Sequence, residues 1–544
     1  MLYFAFRRRG SALLLAIFFL TVLFFLAMAL LELLPTELRA AQRQRFSQAA
    51  YFAADAGVTE ALAFLEKHLE QELEPALAFT VPTGANPHHK MSGSLGDWSW
   101  SVEIHPDAET PPRGTNSLRI YRITSTASLF EVPYRKITVD AGQESFAKYA
   151  MFYDQGEASL VWDVSRNRVE GPLHQNDVLR LYIPGGYFDT EGSPSFLGPV
   201  TSSRFAGPEH GDGVEYTGGG GKPYNKSGSP ILERYQRMLS GGREALRTGD
   251  KTKEMPKNSR NLAEAAWGSE TSAPPALAGV YLNSSVGTGD FNEALGGVFI
   301  QGDVDAMELG VSGGNSTVTI TQGGKKSLLT VYTEGGTNLP AGTTVNGQVL
   351  PKPLDIPAGH TVLKKADGSY EVVSGTTNGV VYATGTIHSL RGVNRGARTV
   401  AVDIERDKEI VVSGDLTRAD TPLGKKPSGS RDVLGLVGYN VRLGRAIPRS
   451  LNDPLYLYCT IFAGRKDGSG GYAVDGWDER WGEVGKFIIH GGLIEGQDKP
   501  WGYVGSSGFP FYEILYDSNL AKSPPPFFPM LPKLHIRSWT EEAQ

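Results

Sequence analysis

The side chains best suited to chemistry are scattered acids and histidines. Asp303, Asp403 and Asp415 could serve as acid and base in glycan cleavage if stacked strands brought them to one exposed face. Aspartate beside glycine in a turn more often serves the backbone. The stretch KDGSGGYAVDGWDERWGE holds Asp467, Asp475, Asp478, Glu479 and Glu483, oxygen donors of the kind calcium takes, but their spacing fits no EF-hand and reads as a polar surface loop. The histidines form no HExxH or HxH pair. His88 and His89 fall in a loop, while His174, His388 and His490 sit beside a recurrent glycine motif, where they either line one face of a stack or are satisfied at its rim. The run GGGGK imitates a phosphate loop and fails it, with Tyr216 where the first glycine belongs and Pro223 in place of serine or threonine. Cys459, alone within LYLYCTIFA, reads as a small buried hydrophobe. No GxSxG elbow is present. The expectation is a chain that is not an enzyme, with no cofactor and no metal.

Composition narrows the class. The chain has 544 residues and a net charge of −6, with no basic stripe of the kind nucleic acid requires. Its 66 glycines, scattered without a period, favour a turn-rich β architecture.

The elements that would position any site begin with FRRRGSALLLAI. From Ala12 to Leu31 only Thr21 is polar, and twenty helical residues rise about 30 Å, the thickness of a bilayer core. A single transmembrane helix is expected, with Arg7, Arg8 and Arg9 holding its N-terminus in the cytoplasm and sending the bulk of the chain outward. The helical pattern continues beyond Pro35, which could kink it. Leu38, Phe46, Ala50, Ala53, Gly57, Ala61, Leu65 and Leu69 recur at three- and four-residue steps. The small stripe Ala49, Ala50, Ala53, Ala54, Ala56 and Gly57 suits close packing, either on the protein's own sheet or on a neighbouring subunit.

The arginine-rich leader, the glycine, the apolar helix and the segment Ala53-Ala54-Asp55-Ala56-Gly57 resemble the N-terminus of PilX-like minor pilins, of the type IV pilin and type II secretion pseudopilin superfamily. The resemblance implies cleavage after Gly10 by a prepilin peptidase, leaving Ser11 as the new N-terminus, and partnership with other pilin-like subunits. Major pilins carry glutamate at the fifth mature position. Here that position is Leu15, which suits a minor or tip subunit rather than the repeating shaft.

After the helix, DWSWSVEI alternates Trp98, Trp100, Val102 and Ile104 with polar residues, and SLRIYRITSTASL and YRKITVDAG follow. Three antiparallel strands are expected. A motif of apolar residues around glycine then recurs, with glycines at 171, 198, 302, 385, 414 and 491. Two intervals, 27 and 29 residues, approximate one coil of a β-solenoid. AMFYDQGEASLVW, GVVYATGTIHSLRG and DVLGLVGYNVRLG look like a large uncharacterised bacterial domain found behind PilX-like N-termini, similar over roughly residues 145–540 and implying no activity. SPPPFFP reads as an extended strap, with Trp539 pinning the tail.

The expected fold class is α+β and membrane-anchored: a long pilin-like helix with a small antiparallel sheet, then a large mainly-β, solenoid-like domain. The expected division is a leader at 1–10, helix at 11–74, β head at 75–142 and β-rich domain at 143–544, with a helical insertion near 230–268. The expected place is the inner membrane with the bulk extracytoplasmic, and the pilus or cell surface after assembly. The expected function is pilus assembly or surface contact. The alternatives are a permanently anchored envelope protein and a membrane-tethered polysaccharide-active enzyme.

Overall fold

The computed structural model describes residues 4–70, 89–106, 120–156, 160–190, 192–204, 214–267, 274–283, 296–375, 377–444, 453–478, 486–502 and 511–543, with side chains of the first helix described from 12 to 67. The side chains of Arg7, Arg8, Arg9, Gly10, Ser11 and Leu69, and all of His88, Glu479 and Glu483, lie outside the described residues.

Helix α1, Phe4–Glu70, runs unbroken through Pro35. Proline removes one backbone donor from the ladder, and the Thr36 hydroxyl donates to the Leu33 carbonyl at 2.6 Å beside it. Thr21, the one polar residue of the apolar run, turns its hydroxyl back to the Ile17 carbonyl at 2.7 Å. The run is long and apolar enough to cross a bilayer, and its most apolar window, of mean hydropathy 3.0, has no part buried in the protein.

The head sheet packs on the second half of α1. Strands β1 (His89–Leu95), β2 (Trp98–Pro106), β3 (Ile120–Leu129) and β4 (Val132–Ser145) are antiparallel neighbours in that order. A fifth strand, Met530–Ala543, comes from the far end of the chain and pairs antiparallel with β4. The three strands expected from alternation are β2, β3 and β4. The edge strand β1, HKMSGSL, alternates but offers only Met91 and Leu95 as large apolar residues, a weak signal, and the fifth partner is nearly 400 residues away in sequence. It is locked by Arg135–Glu541 at 2.5 Å and Lys136–Glu542 at 3.2 Å, and Trp539 packs partly buried on the head core.

The large region is built from two ladders of parallel strands. In one, Leu246–Thr248, Val200–Ser202, Leu173–Gln175, Met151–Gln155, Gly492–Gln497, Thr460–Ala463, Leu434–Gly438, Arg398–Val402, Val380–Ala383 and Val298–Gln301 lie side by side, ending on the antiparallel Gly279–Leu282. The other runs Ala306–Ser312, Ile387–Asn394, Glu409–Arg418, Leu455–Leu457, Lys486–His490, Phe511–Leu515 and Asn167–Glu170, extended by antiparallel hairpins from residues 315–374. Apolar side chains from both ladders form one continuous core.

The chain does not stack in sequence order. Its first ladder strand, Met151–Gln155, pairs with one of its last, Gly492–Gln497. The chain therefore enters mid-stack, builds outward to Leu246–Thr248, crosses by way of the helix Arg260–Trp267, and returns strand by strand to its entry point. That helix and a second, Leu232–Met238, fall within the helical segment expected near 230–268.

The recurrent glycines do not mark one position. Gly171 and Gly198, 27 residues apart, do stack: a Cβ on Gly198 would lie 2.3 Å from the Gly171 carbonyl oxygen. The 29-residue interval joins unlike places, because Gly385 sits in a corner against Gly302 and Asp303, whereas Gly414 lies within the strand Glu409–Arg418. Ladder strands beginning at 380, 398, 434, 460 and 492 show why no period survives: the intervening loops differ in length.

After Phe511–Leu515 the chain turns at Asp517 and runs back as the strap 522–529. Gly435 makes room for it, since a Cβ there would lie 2.8 Å from both Pro525 and Phe528. The Thr399 hydroxyl donates to the Pro526 carbonyl. The Phe146 amide donates to the Pro529 carbonyl at 3.0 Å, so the large region leaves and rejoins the head at one point.

Candidate functional site

The helix–head joint absorbs the alanine-rich segment. Ala50, Ala53, Ala54, Val58, Ala61 and Leu65 are all buried against the sheet, while Asp55 and Ala56 are half-buried. Gly57 marks a very close approach: a Cβ would meet Ser125 Oγ at 2.4 Å, Val102 Cγ2 at 2.9 Å and Trp100 Cε3 at 3.2 Å. Of the two packing partners open to the small stripe, its own sheet takes Ala49, Ala50, Ala53, Ala54 and Gly57. Leu38 and Phe46, earlier in the same helical pattern, stay 58% and 50% exposed because the sheet ends at the Phe46–Trp98 contact.

At that end lies a feature missed from sequence. The two-residue turn between β3 and β4 is Phe130-Glu131, with left-handed φ of 51° and 66°. Such turns favour Asn-Gly, and a side chain in this region costs about 1 kcal/mol per residue. The signal was present in SLFEVPY, where the spacing allows only a tight turn and no glycine supplies it. The double substitution Phe130→Asn/Glu131→Gly is expected to raise head stability by about 1–2 kcal/mol, read as a higher thermal midpoint. A midpoint at or below that of the parent would contradict the strain.

A serine, a histidine and an aspartate approach one another around His174. Ser203 Oγ lies 3.4 Å from His174 Nε2 and Asp250 Oδ2 lies 3.6 Å from Nδ1. The hydrogen bonds oppose a nucleophilic reading. The Asn176 amide is oriented by donating to Asp154 Oδ1 at 2.5 Å and to the Lys253 carbonyl at 2.8 Å. Its Oδ1 therefore accepts from His174 Nε2–H at 3.0 Å, leaving no lone pair on that nitrogen for the serine proton. Thr201 Oγ1, 2.7 Å from Nδ1, completes a fully buried and satisfied histidine.

His490 is likewise buried and stacks on Tyr458 with ring centroids 4.3 Å apart, whereas His388 is exposed. The three histidines thus share no face. Burial pushes both His174 and His490 down to about 4, helped by the Lys253 charge at the first and by the Arg418 charge at the second. A depressed folded value means the unfolded chain takes up protons first. Stability from these groups is complete above about pH 6.5 and is lost as pH falls towards about 4. His490→Phe keeps the stacking and is expected to remove about half of that acid loss, measured as the unfolding midpoint between those pH values. An unchanged acid slope would contradict it.

The aspartates weighed for glycan chemistry serve the backbone. Asp303 Oδ1 accepts from the Thr386 amide at 2.8 Å, Asp403 Oδ1 from the Glu405 amide at 3.1 Å, and Asp415 Oδ1 from the Tyr456 amide at 2.9 Å. Asp415 shares an open groove with Glu308 and Arg391, which pair with each other. In the acidic loop, Asp467 binds Ser469 and Arg465, Asp475 binds Arg442, and Asp478 is exposed. Among the described residues no group of three or more His, Cys, Asp or Glu side chains could hold a metal ion. Cys459 is fully buried, and burial pushes its thiol up to about 12.

No protein-family model matches the chain, and no curated protein matches it. Among solved structures, the crystal structure of the competence-associated pilin ComZ from Thermus thermophilus is similar, with 11% identity, 92% of this chain and 98% of that chain covered, and a TM-score of 0.25.

Sequence reasoning also missed a buried ion pair. Arg418 Nη1 and Asp517 Oδ2 are 2.8 Å apart, with side chains only 1% and 2% exposed. The pair ties the start of the strap to the second ladder. Single charged residues in strand-like sequence gave no signal that they would meet.

Proposed function

We propose that this chain is a pilin-like minor subunit, PilX-like in its N-terminal design, that carries a β-solenoid outward as a non-enzymatic contact surface. The observation that supports it most is the joint: an apolar helix long enough to span a bilayer continues into a rigid seat on a small sheet, and the large β region leaves and rejoins that sheet at adjacent points. A module inserted this way is presented without interrupting the helix that would anchor or assemble. In this reading Arg7, Arg8 and Arg9 stay cytoplasmic, the helix crosses the inner membrane, and a prepilin peptidase cuts between Gly10 and Ser11. The two parallel ladders form the solenoid wall, and other pilin-like subunits are the assembly partners.

N-terminal sequencing of the protein from cells with and without prepilin peptidase tests the processing. The expected mature chain starts at Ser11 only when the peptidase is present; an unchanged start at Met1 in both removes the claim. Co-purification with sheared pili tests the assembly. Leu15 supports one second reading, a permanent envelope anchor with no filament role. That reading gains if the protein stays entirely in membranes while pili are sheared away.

A further inference from the structure

The end of the head sheet nearest the apolar span ends in a tip that exposes apolar side chains beside two acids, Asp97 and Glu131. Register puts the Leu95–Trp98 turn and the Phe130-Glu131 turn at the same end of the sheet. Contacts with α1 identify which end this is. Phe46 meets Trp98 with ring centroids 6.4 Å apart and Arg135 Nη1 donates to Ser47 Oγ at 3.1 Å, whereas the opposite end meets the helix at Phe64 and Glu66. The tip exposes Leu95 at 47%, Phe130 at 87%, Val132 at 56% and Tyr134 at 42%.

Tyr134 packs edge-on against the core residue Trp98 with ring centroids 5.2 Å apart. Phe130 adds nothing to the head core, yet the backbone accepts two left-handed residues to present it. Strain held for no folding gain points to a contact outside the described chain. The helix supplies the occupant. From Leu31, the last residue of the apolar run, to Phe46 the axis rises about 22 Å. The hairpin beyond Tyr134 reaches back along it by roughly 7–10 Å. Phe130 therefore stands on the order of 12–15 Å from the end of the apolar span, where the headgroup layer is about 5–8 Å deep on each side, and a helix tilt towards the tip, within the usual range of up to about 40°, closes the difference. Exposed Arg39, Arg43 and Arg45 lie on the intervening helix, between the apolar span and the head. Aromatic residues favour this interfacial zone.

We propose that the Phe130 hairpin tip dips into the headgroup layer of the membrane crossed by α1, on the side opposite the arginine leader. The tip holds the head against the bilayer before assembly, and extraction of the subunit must release it. This rests on the anchor reading above.

The test uses the full chain in vesicles of mixed neutral and anionic phospholipid. An environment-sensitive fluorophore is attached through Phe130→Cys, native Cys459 being too buried to react, and in a second sample through Leu20→Cys. The tip label is expected to emit blue-shifted and to be quenched about threefold more by lipids labelled near the headgroup than near the chain end. Phe130→Asn/Glu131→Gly, labelled at Leu95→Cys, is expected to lose that quenching while the head remains at least as stable. A tip label in water with a quenched Leu20→Cys label overturns the proposal and leaves the anchor intact. A blue-shifted tip label that no lipid quenches also overturns it, in favour of a second copy covering the tip. Both labels in water would remove the anchor reading, and the proposal with it.

Discussion

Replacing Asp517 with alanine is expected to cost the fold about 3–5 kcal/mol, because it leaves the Arg418 guanidinium charged, buried and without its counter-ion. Arg418 is poorly placed to compensate. Its Nε and Nη2 have no hydrogen-bond partner among the described residues, so the Nη1–Asp517 contact at 2.8 Å is its neutralising bond. Asp517 has a second duty, since Oδ1 accepts from the Asn519 amide at 3.1 Å and starts the short helix Ser518–Ala521. Loss should therefore spread to the strap at 522–529 and to the fifth strand of the head sheet, which follows it. Denaturant unfolding should show the lower stability, and hydrogen exchange should show lost protection from 517 to 529. Arg418→Met with Asp517→Leu should recover most of the loss, as expected when a buried pair is replaced by apolar residues of similar size. If Asp517→Ala shifts stability by less than about 0.5 kcal/mol, a range typical of surface substitutions, the pair does not pin the strap.

Gly57→Leu is expected to destabilise the helix–head joint by about 3 kcal/mol or more, at the upper end of overpacking penalties. The obstruction is not one yielding side chain. Ser125, Val102 and Trp100 crowd the same point from two neighbouring strands. Gly57→Ala separates two opposing effects. Helix propensity favours alanine by about 1 kcal/mol, while a Cβ held 2.4 Å from Ser125 Oγ demands movement of the sheet. The clash should win, giving a net loss of about 1 kcal/mol. Ala56→Leu, one residue away and half-buried, should be much milder. The thermal midpoint of the detergent-solubilised chain ranks the three. A stabilised Gly57→Ala would show that the helix does not seat this closely.

Different parts of this architecture were legible to different degrees. The apolar span, the alanine-rich helix and the β2–β4 alternation are local patterns, written at periods of 3.6 and 2 that neighbouring residues alone can satisfy. Cys459 within a strand-like run was legible for the same reason, whereas the segment read as a polar loop carries a buried strand, Tyr472–Val474, paired with Asn440–Leu443. The 27-residue stack of Gly171 on Gly198 was visible because nothing interrupts that coil, whereas hairpins inserted after 302 erased the next one.

Local sequence carried the order of the elements: an apolar helix, a small-residue stripe that calls for close packing, a small sheet, and a long glycine-rich β region. Tertiary structure alone set that the stack starts in its middle, that the last strand completes the head sheet, that Arg418 meets Asp517, and that the Phe130 turn lies at the sheet end nearer the apolar span. Each of these joins residues that are distant in sequence or depends on which end of a sheet meets which turn of a helix. Backbone pairing accepts any β-prone partner in register, so strand identity is chosen by burial of the whole core and by the loops that deliver each strand, terms that no local window contains.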